Sequence, residues 1–211
     1  MSRTRFARAW VFVLALSCVV SAFASSENSV AIANKTVLNA SLSRTTMSVD
    51  FDQALVATQA AQALNYSELE QGSSLLMIAP TGTPVARVLN VELGEAVSSM
   101  LNTTGLPRST DELVLVGEPV IVHGVRLVGA SVSPLIMTES GLRTVNSVDY
   151  EIITQGVGGI NEVRHPRPLP EAFASVLRRT VDNLDDLNPN IALDGPARYL
   201  ILGSTRLLDN D

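Results

Sequence analysis

Short apolar runs, each closed off by proline or glycine, constrain this chain more than any other feature. They occupy 74–79, 84–93, 113–116, 119–122 and 125–132, and between them stand Pro80-Thr81-Gly82-Thr83-Pro84, Gly117-Glu118-Pro119, His123-Gly124 and Ser133-Pro134. Runs of four to ten residues are too short for stable helices and suit strands. On either side the spacing is two. Met47, Val49 and Phe51 alternate with Ser48, Asp50 and Asp52, and Val148, Tyr150 and Ile152 alternate with Ser147, Asp149 and Glu151. Strict alternation marks a strand with one buried face. No long helical pattern separates the runs, which disfavours crossover α/β units. The expectation is a mainly β fold, an antiparallel β-sandwich, over residues 25–155. Residues 54–64 read as a loop or a short helix.

Beyond Gly156 the pattern changes. Gly156, Gly158 and Gly159 lead into Arg164-His165-Pro166-Arg167-Pro168-Leu169-Pro170, where three prolines in five residues deny the chain regular structure. Phe173, Val176, Leu177, Val181, Leu184 and Leu187 then recur at helical spacing, predicting one amphipathic helix over about 170–187. Residues 156–196 thus form a proline-rich connector and a linker helix. The last piece, Ala197-Arg198-Tyr199-Leu200-Ile201-Leu202-Gly203-Ser204, reads as a buried strand of the parallel-sheet kind, so 197–211 is expected to begin a second, α/β domain.

The N-terminus carries Arg3, Arg5 and Arg8, an apolar stretch over 9–20 and then Ser21-Ala22-Phe23-Ala24, the order of a secretory signal peptide. The apolar stretch is about twelve residues, too short for a membrane anchor of about 20. Cleavage is expected after Ala24. A lipoprotein cut before Cys18 is a weaker match, because Ala15-Leu16-Ser17 precedes it. After removal of 1–24 no cysteine remains to form a disulfide, and the formal charge moves from −6 to −9. One lysine, Lys35, is left, and an acidic chain without a basic patch does not point to a nucleic-acid partner. The chain is expected to be secreted or periplasmic, with no membrane contact after cleavage.

The residues that could do chemistry are sparse. His123 and His165 have no second histidine or thiol at ligand spacing, so no metal or other cofactor is expected. No Gly-x-Ser-x-Gly elbow occurs. Asp111-Glu112 and Asp185-Asp186 are adjacent acids, which do not face one another on a helix and read as solvated. Gly156, Gly158 and Gly159 complete no dinucleotide fingerprint and read as turn glycines. Asn34, Asn39, Asn65 and Asn102 head Asn-x-Ser/Thr sequons, a surface signature. No catalytic residue emerges.

Several of these pieces, taken in order, resemble the propeptide of gingipain-type cysteine peptidases: His123-Gly124-Val125-Arg126-Leu127-Val128, Ala130-Ser131-Val132-Ser133-Pro134, Gly141-Leu142-Arg143-Thr144-Val145 and Val148-Asp149-Tyr150-Glu151-Ile152. The helix over 170–187 resembles that family's linker, and Ala197 to Leu202 its first catalytic strand. Leu135, Ile136 and Met137 depart from the family's pattern after the proline. The resemblance implies a prodomain that assists folding of a cognate cysteine peptidase catalytic domain and blocks its cleft until cut away. It also implies that the chain ends before the family's catalytic His and Cys, and so is not itself an enzyme. In arginine-specific members a propeptide arginine fills the pocket that reads substrate, because its fork pairs bidentately with a carboxylate. Arg108 is the candidate for that blocking role, and Arg164 and Arg167 are the candidates for cleavage. The alternative is a secreted or periplasmic β-sandwich module that binds protein through its loops. Glycan binding fits poorly, since Trp10 leaves with the signal and only Tyr66, Tyr150 and Tyr199 remain.

Overall fold

The computed structural model describes residues 31–69, 71–187, 189 and 191–192. The expected signal peptide with its cut at Ala24, Cys18, and the expected catalytic strand within 197–211 lie outside the described residues.

Two antiparallel sheets form the body. In the first, the order is β1 (Ile32–Ser41), β2 (Arg44–Phe51), β9 (Gly141–Gln155) and β4 (Thr83–Ala96), and β8 (Leu135–Thr138) pairs with the start of β9. In the second, β7 (Val125–Val132) pairs with β3 (Gly72–Met77) on one side and with β5 (Val114–Val116) and β6 (Val120–Val122) on the other. The alternation seen in the sequence decides which side chains meet between them. Met47, Val49 and Phe51 from β2 and Val148, Tyr150 and Ile152 from β9 are buried against Leu76 of β3 and Val128, Ala130 and Val132 of β7. Tyr150 Oη donates to Ser74 Oγ at 3.1 Å, a polar link from one sheet to the other inside this core. Burial pushes the Tyr150 hydroxyl up to about 12.

Local chemistry explains the connections. β6 turns into β7 through His123 and Gly124, both at positive φ (50° and 81°), which gives the two-residue turn whose twist matches a hairpin. The His123 ring rests on Phe173, with centroids 4.2 Å apart. Of residues 54–64, read as a loop or short helix, most are helix: α1 spans Gln53–Gln62. Asp52 caps it, accepting from Leu55 N at 3.0 Å, and Val56 and Ala60 turn into the core.

The expected single helix over 170–187 is two. α2 spans Glu171–Leu177 and α3 spans Leu184–Leu187. The break has a physical cause: Asp182 and Asn183 bond the outer edge of β3 instead of continuing the helix. Asp182 N donates to Leu75 O at 2.9 Å, and Leu75 N donates to Asp182 Oδ2 at 3.1 Å. Met77 N donates to Asn183 Oδ1 at 2.8 Å, and Asn183 Nδ2 donates to Met77 O at 2.9 Å and to Thr45 Oγ1 at 2.8 Å. Lys35 Nζ reaches Asp182 Oδ1 at 2.8 Å and Ser73 O at 3.0 Å. Asx side chains compete with helical bonding in this way.

The segment after the connector is therefore a third layer and not a detached linker. Leu169, Ala174, Leu177, Val181 and Leu184 are buried against Val125 and Leu127, with Leu75, Met77, Val120 and Val122 around them. The second sheet is covered on both faces, which is why β7 reads as a nearly continuous apolar run. Leu169–Pro170 (β10) also pairs in parallel with Ile191–Ala192 (β11).

Asn183 has no exposed surface and serves both sheets. Asn183→Ala strands the Met77 amide and carbonyl and the Thr45 hydroxyl in the interior. It should lower unfolding free energy by about 2–4 kcal/mol in urea titrations, whereas Asn34→Ala on exposed β1 should change it by less than about 0.5 kcal/mol.

Candidate functional site

Arg108 lies in the long connection from β4 to β5, and that connection is pinned along its length. Leu101, Leu106 and Leu113 are buried in the main core. Val97 N donates to Leu142 O at 2.8 Å, Asn102 N to Leu64 O at 2.8 Å, and Met137 N to Pro107 O at 2.9 Å. Gly105, at φ 86°, turns the chain so that Leu106 can point inward. Arg108 N donates to Glu112 Oε2 at 2.7 Å, within the short 3-10 turn Thr110–Leu113. Thus Glu112, read as a solvated acid, holds the Arg108 backbone. The Arg108 side chain is exposed and has no partner among the described residues. Because the backbone is already fixed, binding that guanidinium costs side-chain rotamer freedom but little backbone entropy.

Beside this loop a cavity of about 290 Å³ is lined by Tyr66, Leu106, Pro107, Glu112, Leu115 and Ser133. Tyr66 Oη donates to Ser133 Oγ at 2.7 Å, and burial raises its hydroxyl above the usual tyrosine range. Met100 of this connection is 95% exposed, and two further apolar residues are exposed, Leu64, whose carbonyl accepts from Asn102 N, and Leu115, which lines the cavity.

The connector is organised by a pair that sequence reading did not single out. Arg126, the second residue of the apolar β7 run, is only 1% exposed. It donates from Nη1 to Ala79 O at 3.2 Å and from Nη2 to Ile160 O at 2.6 Å. Burial lowers its guanidinium below the usual range, and the Glu162 carboxylate opposes that shift. Glu162 Oε1 accepts from the backbone amides of Gly82 at 2.8 Å, Gly159 at 2.9 Å and Gly158 at 2.7 Å, which hold its carboxyl below the ordinary glutamate range. Gly156 and Gly158 sit at φ 68° and 85°, as turn glycines do. Asn161 Nδ2 donates to Pro119 O and Val163 N to Pro80 O, both at 2.7 Å. The clue in the sequence was one charged residue inside an apolar strand, since a buried charge requires partners.

After Val163 these ties end. Arg164, His165, Pro166, Arg167 and Pro168 are all exposed and form no regular element. Below them a cleft of about 300 Å³ is lined by Leu42, Met77, Val125, Pro166, Pro168 and Leu169, among others. The structure does not bring Arg108 together with Arg164 and Arg167. The Arg108 loop is tied to Leu142 near the start of β9, whereas the connector follows Gln155 at its end. Fifteen residues of strand span up to about 45 Å.

Among the described residues no group of three or more His, Cys, Asp or Glu side chains could hold a metal, and no helix is long and apolar enough to cross a membrane. Asp185 and Asp186 are exposed, and Asp185 meets Arg178 at 3.2 Å across the helix break.

No family model and no curated protein matches the chain. Solved structures do. One chain of a complex of the pro- and mature domains of RgpB from Porphyromonas gingivalis aligns at TM-score 0.50 and 14% identity, covering 72% of this chain and 98% of that one. A structure described as giving insight into the zymogenic latency of gingipain K, also from Porphyromonas gingivalis, aligns at TM-score 0.40 and 16% identity, covering 63% of this chain and 98% of that one. The chain has a gingipain propeptide-like fold, mainly β and antiparallel. At 14% identity the likeness is one of fold.

The Glu162 cluster carries a pH dependence of known sign. A carboxyl held low in the folded state stabilises it above the unfolded pKa, and the contribution is lost as pH falls through the folded value. Stability and protection of the 156–163 loop from hydrogen exchange should therefore drop as pH falls below about 4.5. Glu162→Gln should flatten that slope while lowering protection at neutral pH. An unchanged slope in the variant would show that other carboxyls carry it.

Proposed function

We propose that this chain is the prodomain region of a secreted, gingipain-like cysteine peptidase, which helps the catalytic domain fold and occupies its cleft until processing. The observation that carries the reading is an exposed Arg108 side chain, without a partner among the described residues, on a backbone fixed at both ends and set on a propeptide-like fold. In such a complex Arg108 enters the pocket that reads the substrate side chain. Its fork pairs there with a carboxylate, and the apolar rim of Leu64, Met100 and Leu115 supplies contact area around it.

Processing is placed in the exposed connector, at Arg164 or Arg167. The two bonds differ chemically. Arg167 precedes Pro168, whose ring removes the amide N–H and restricts the residue before it. The Arg164–His165 bond has neither restriction, although Pro166 follows one residue later. Arg164 is thus the better cleavage site, and Arg126, fully enclosed, is protected from the same chemistry.

The experiment is inhibition of an arginine-specific gingipain-type peptidase by the chain lacking residues 1–24. Inhibition is expected at micromolar or lower concentration, and Arg108→Ala should weaken it by about 30-fold or more, the cost of losing a buried charge pair. Arg108→Lys should restore only part of it. No inhibition by the unsubstituted chain at micromolar concentration would sink the reading. Equal inhibition by Arg108→Ala would remove Arg108 from the blocking role. In the same mixtures, mass spectrometry should find cleavage after Arg164 ahead of Arg167, and abolition of the early cut by Arg164→Gln.

A further inference from the structure

A cut in the connector meets an unusual arrangement. Everything after Pro168 belongs to the downstream piece, yet that piece supplies the third layer of the fold. Leu169, Ala174, Leu177, Val181 and Leu184 bury the outer face of the β3–β7 sheet. Asp182 and Asn183 fill the hydrogen-bonding edge of β3 with both backbone and side chain. Asn183 crosses to Thr45 in the first sheet, and Asp182 pairs with Lys35 of β1. Opposite the cut, the upstream piece ends in a loop held by Glu162 and Arg126, which do not depend on any residue beyond Val163.

We propose that residues 169–187 are a clasp: the outer face of β3–β7, with the β3 edge, is a docking surface for the chain's own downstream piece, so that a cut at Arg164 or Arg167 nicks the molecule without parting it. Separation then requires a second event, either slow dissociation of the clasp or a cut beyond Leu187. Two features make this an interface rather than a loose tail. It combines a continuous apolar cluster with strand-edge bonding, the pairing used when one chain adds to another's sheet. It also bonds both polar atoms of the Asn183 side chain, so dissociation must expose several donors and acceptors together. The consequence for processing rests on the connector being cut in nature, but the clasp does not.

The test separates the two. In the chain lacking residues 1–24, residues 164–167 are replaced by the recognition sequence of a site-specific peptidase, and the folded protein is nicked. The two pieces should co-elute on size exclusion at about 1 μM, a concentration at which weakly held fragments part. Asp182→Ala with Asn183→Ala should speed dissociation by about 30-fold or more, and Lys35→Met, which keeps every bond from Asp182 and Asn183 to Leu75 and Met77, by less. Circular dichroism of the uncut variants reports whether each has folded. Pieces of the unsubstituted chain that separate on nicking would overturn the proposal. So would a double variant whose pieces hold as tightly as the parent's. Should the uncut double variant fail to fold, Leu184→Ala and Lys35→Met, taken singly, decide the matter, and unchanged dissociation in both overturns it. Because the cut is engineered, a negative result here leaves the reading of Arg108 and Arg164 untouched, and the absence of natural cleavage leaves the clasp untouched.

Discussion

The structure turns on the bonding of Asp182 and Asn183 to the edge of β3. An open strand edge presents unpaired amides and carbonyls, and proteins must cover or pair them. Here two adjacent Asx residues do so with backbone and side chain, and the same two side chains reach β1 through Lys35 and β2 through Thr45. One dipeptide therefore fixes the distance between the sheets along one side of the sandwich. It also sets where α2 must end and where α3 can start. The apolar outer face of the second sheet is covered only because this segment is held there.

Behind that edge, the fold keeps two unlike ends apart. Near the start of β9, the loop bearing Arg108 has its carbonyls and amides shared with neighbouring segments and three leucines sunk in the core. Past the end of β9, bonding to the body lasts as far as Val163 and then gives way to five exposed residues, two of them proline. Rigid presentation and accessibility are opposite requirements, since binding favours a fixed backbone and a peptidase needs one that can be drawn out. The buried Arg126 belongs to neither end. With Glu162 it fastens the last ordered loop before the exposed stretch.

Much of the sandwich was legible because alternation is a local property. β2 and the centre of β9 show it plainly, and their inward residues are those the spacing indicates. β7 was legible as a strand but not as one covered on both faces, because no local signal says what lies above Val125 and Leu127. β1 escaped notice, being an edge strand whose residues are mostly exposed. Arg108, Arg164 and Arg167 were visible as arginines near turns and prolines, yet nothing in the sequence tells that Glu112 holds one of them by its backbone or that up to the length of β9 separates it from the others. The helix over 170–187 was misjudged at Asp182 and Asn183. Their low helix propensity was the available hint, but an apolar period of 3.6 on both sides outweighed it.

By itself, then, the sequence determined most of the inner strands, their turns and the want of any cysteine or metal-ligand pattern in the residues after Ala24, because period, proline and glycine act over a few residues at a time. The tertiary structure decided the rest. It made the post-connector segment a layer of the fold and gave Arg126 its bonds to the Ala79 and Ile160 carbonyls and the charge of Glu162. It also broke a helix to close a strand edge about a hundred residues away in sequence. Those outcomes depend on which backbone groups remain unbonded once the sheets have assembled, and that is a property of the assembled sheets which no short stretch of residues contains.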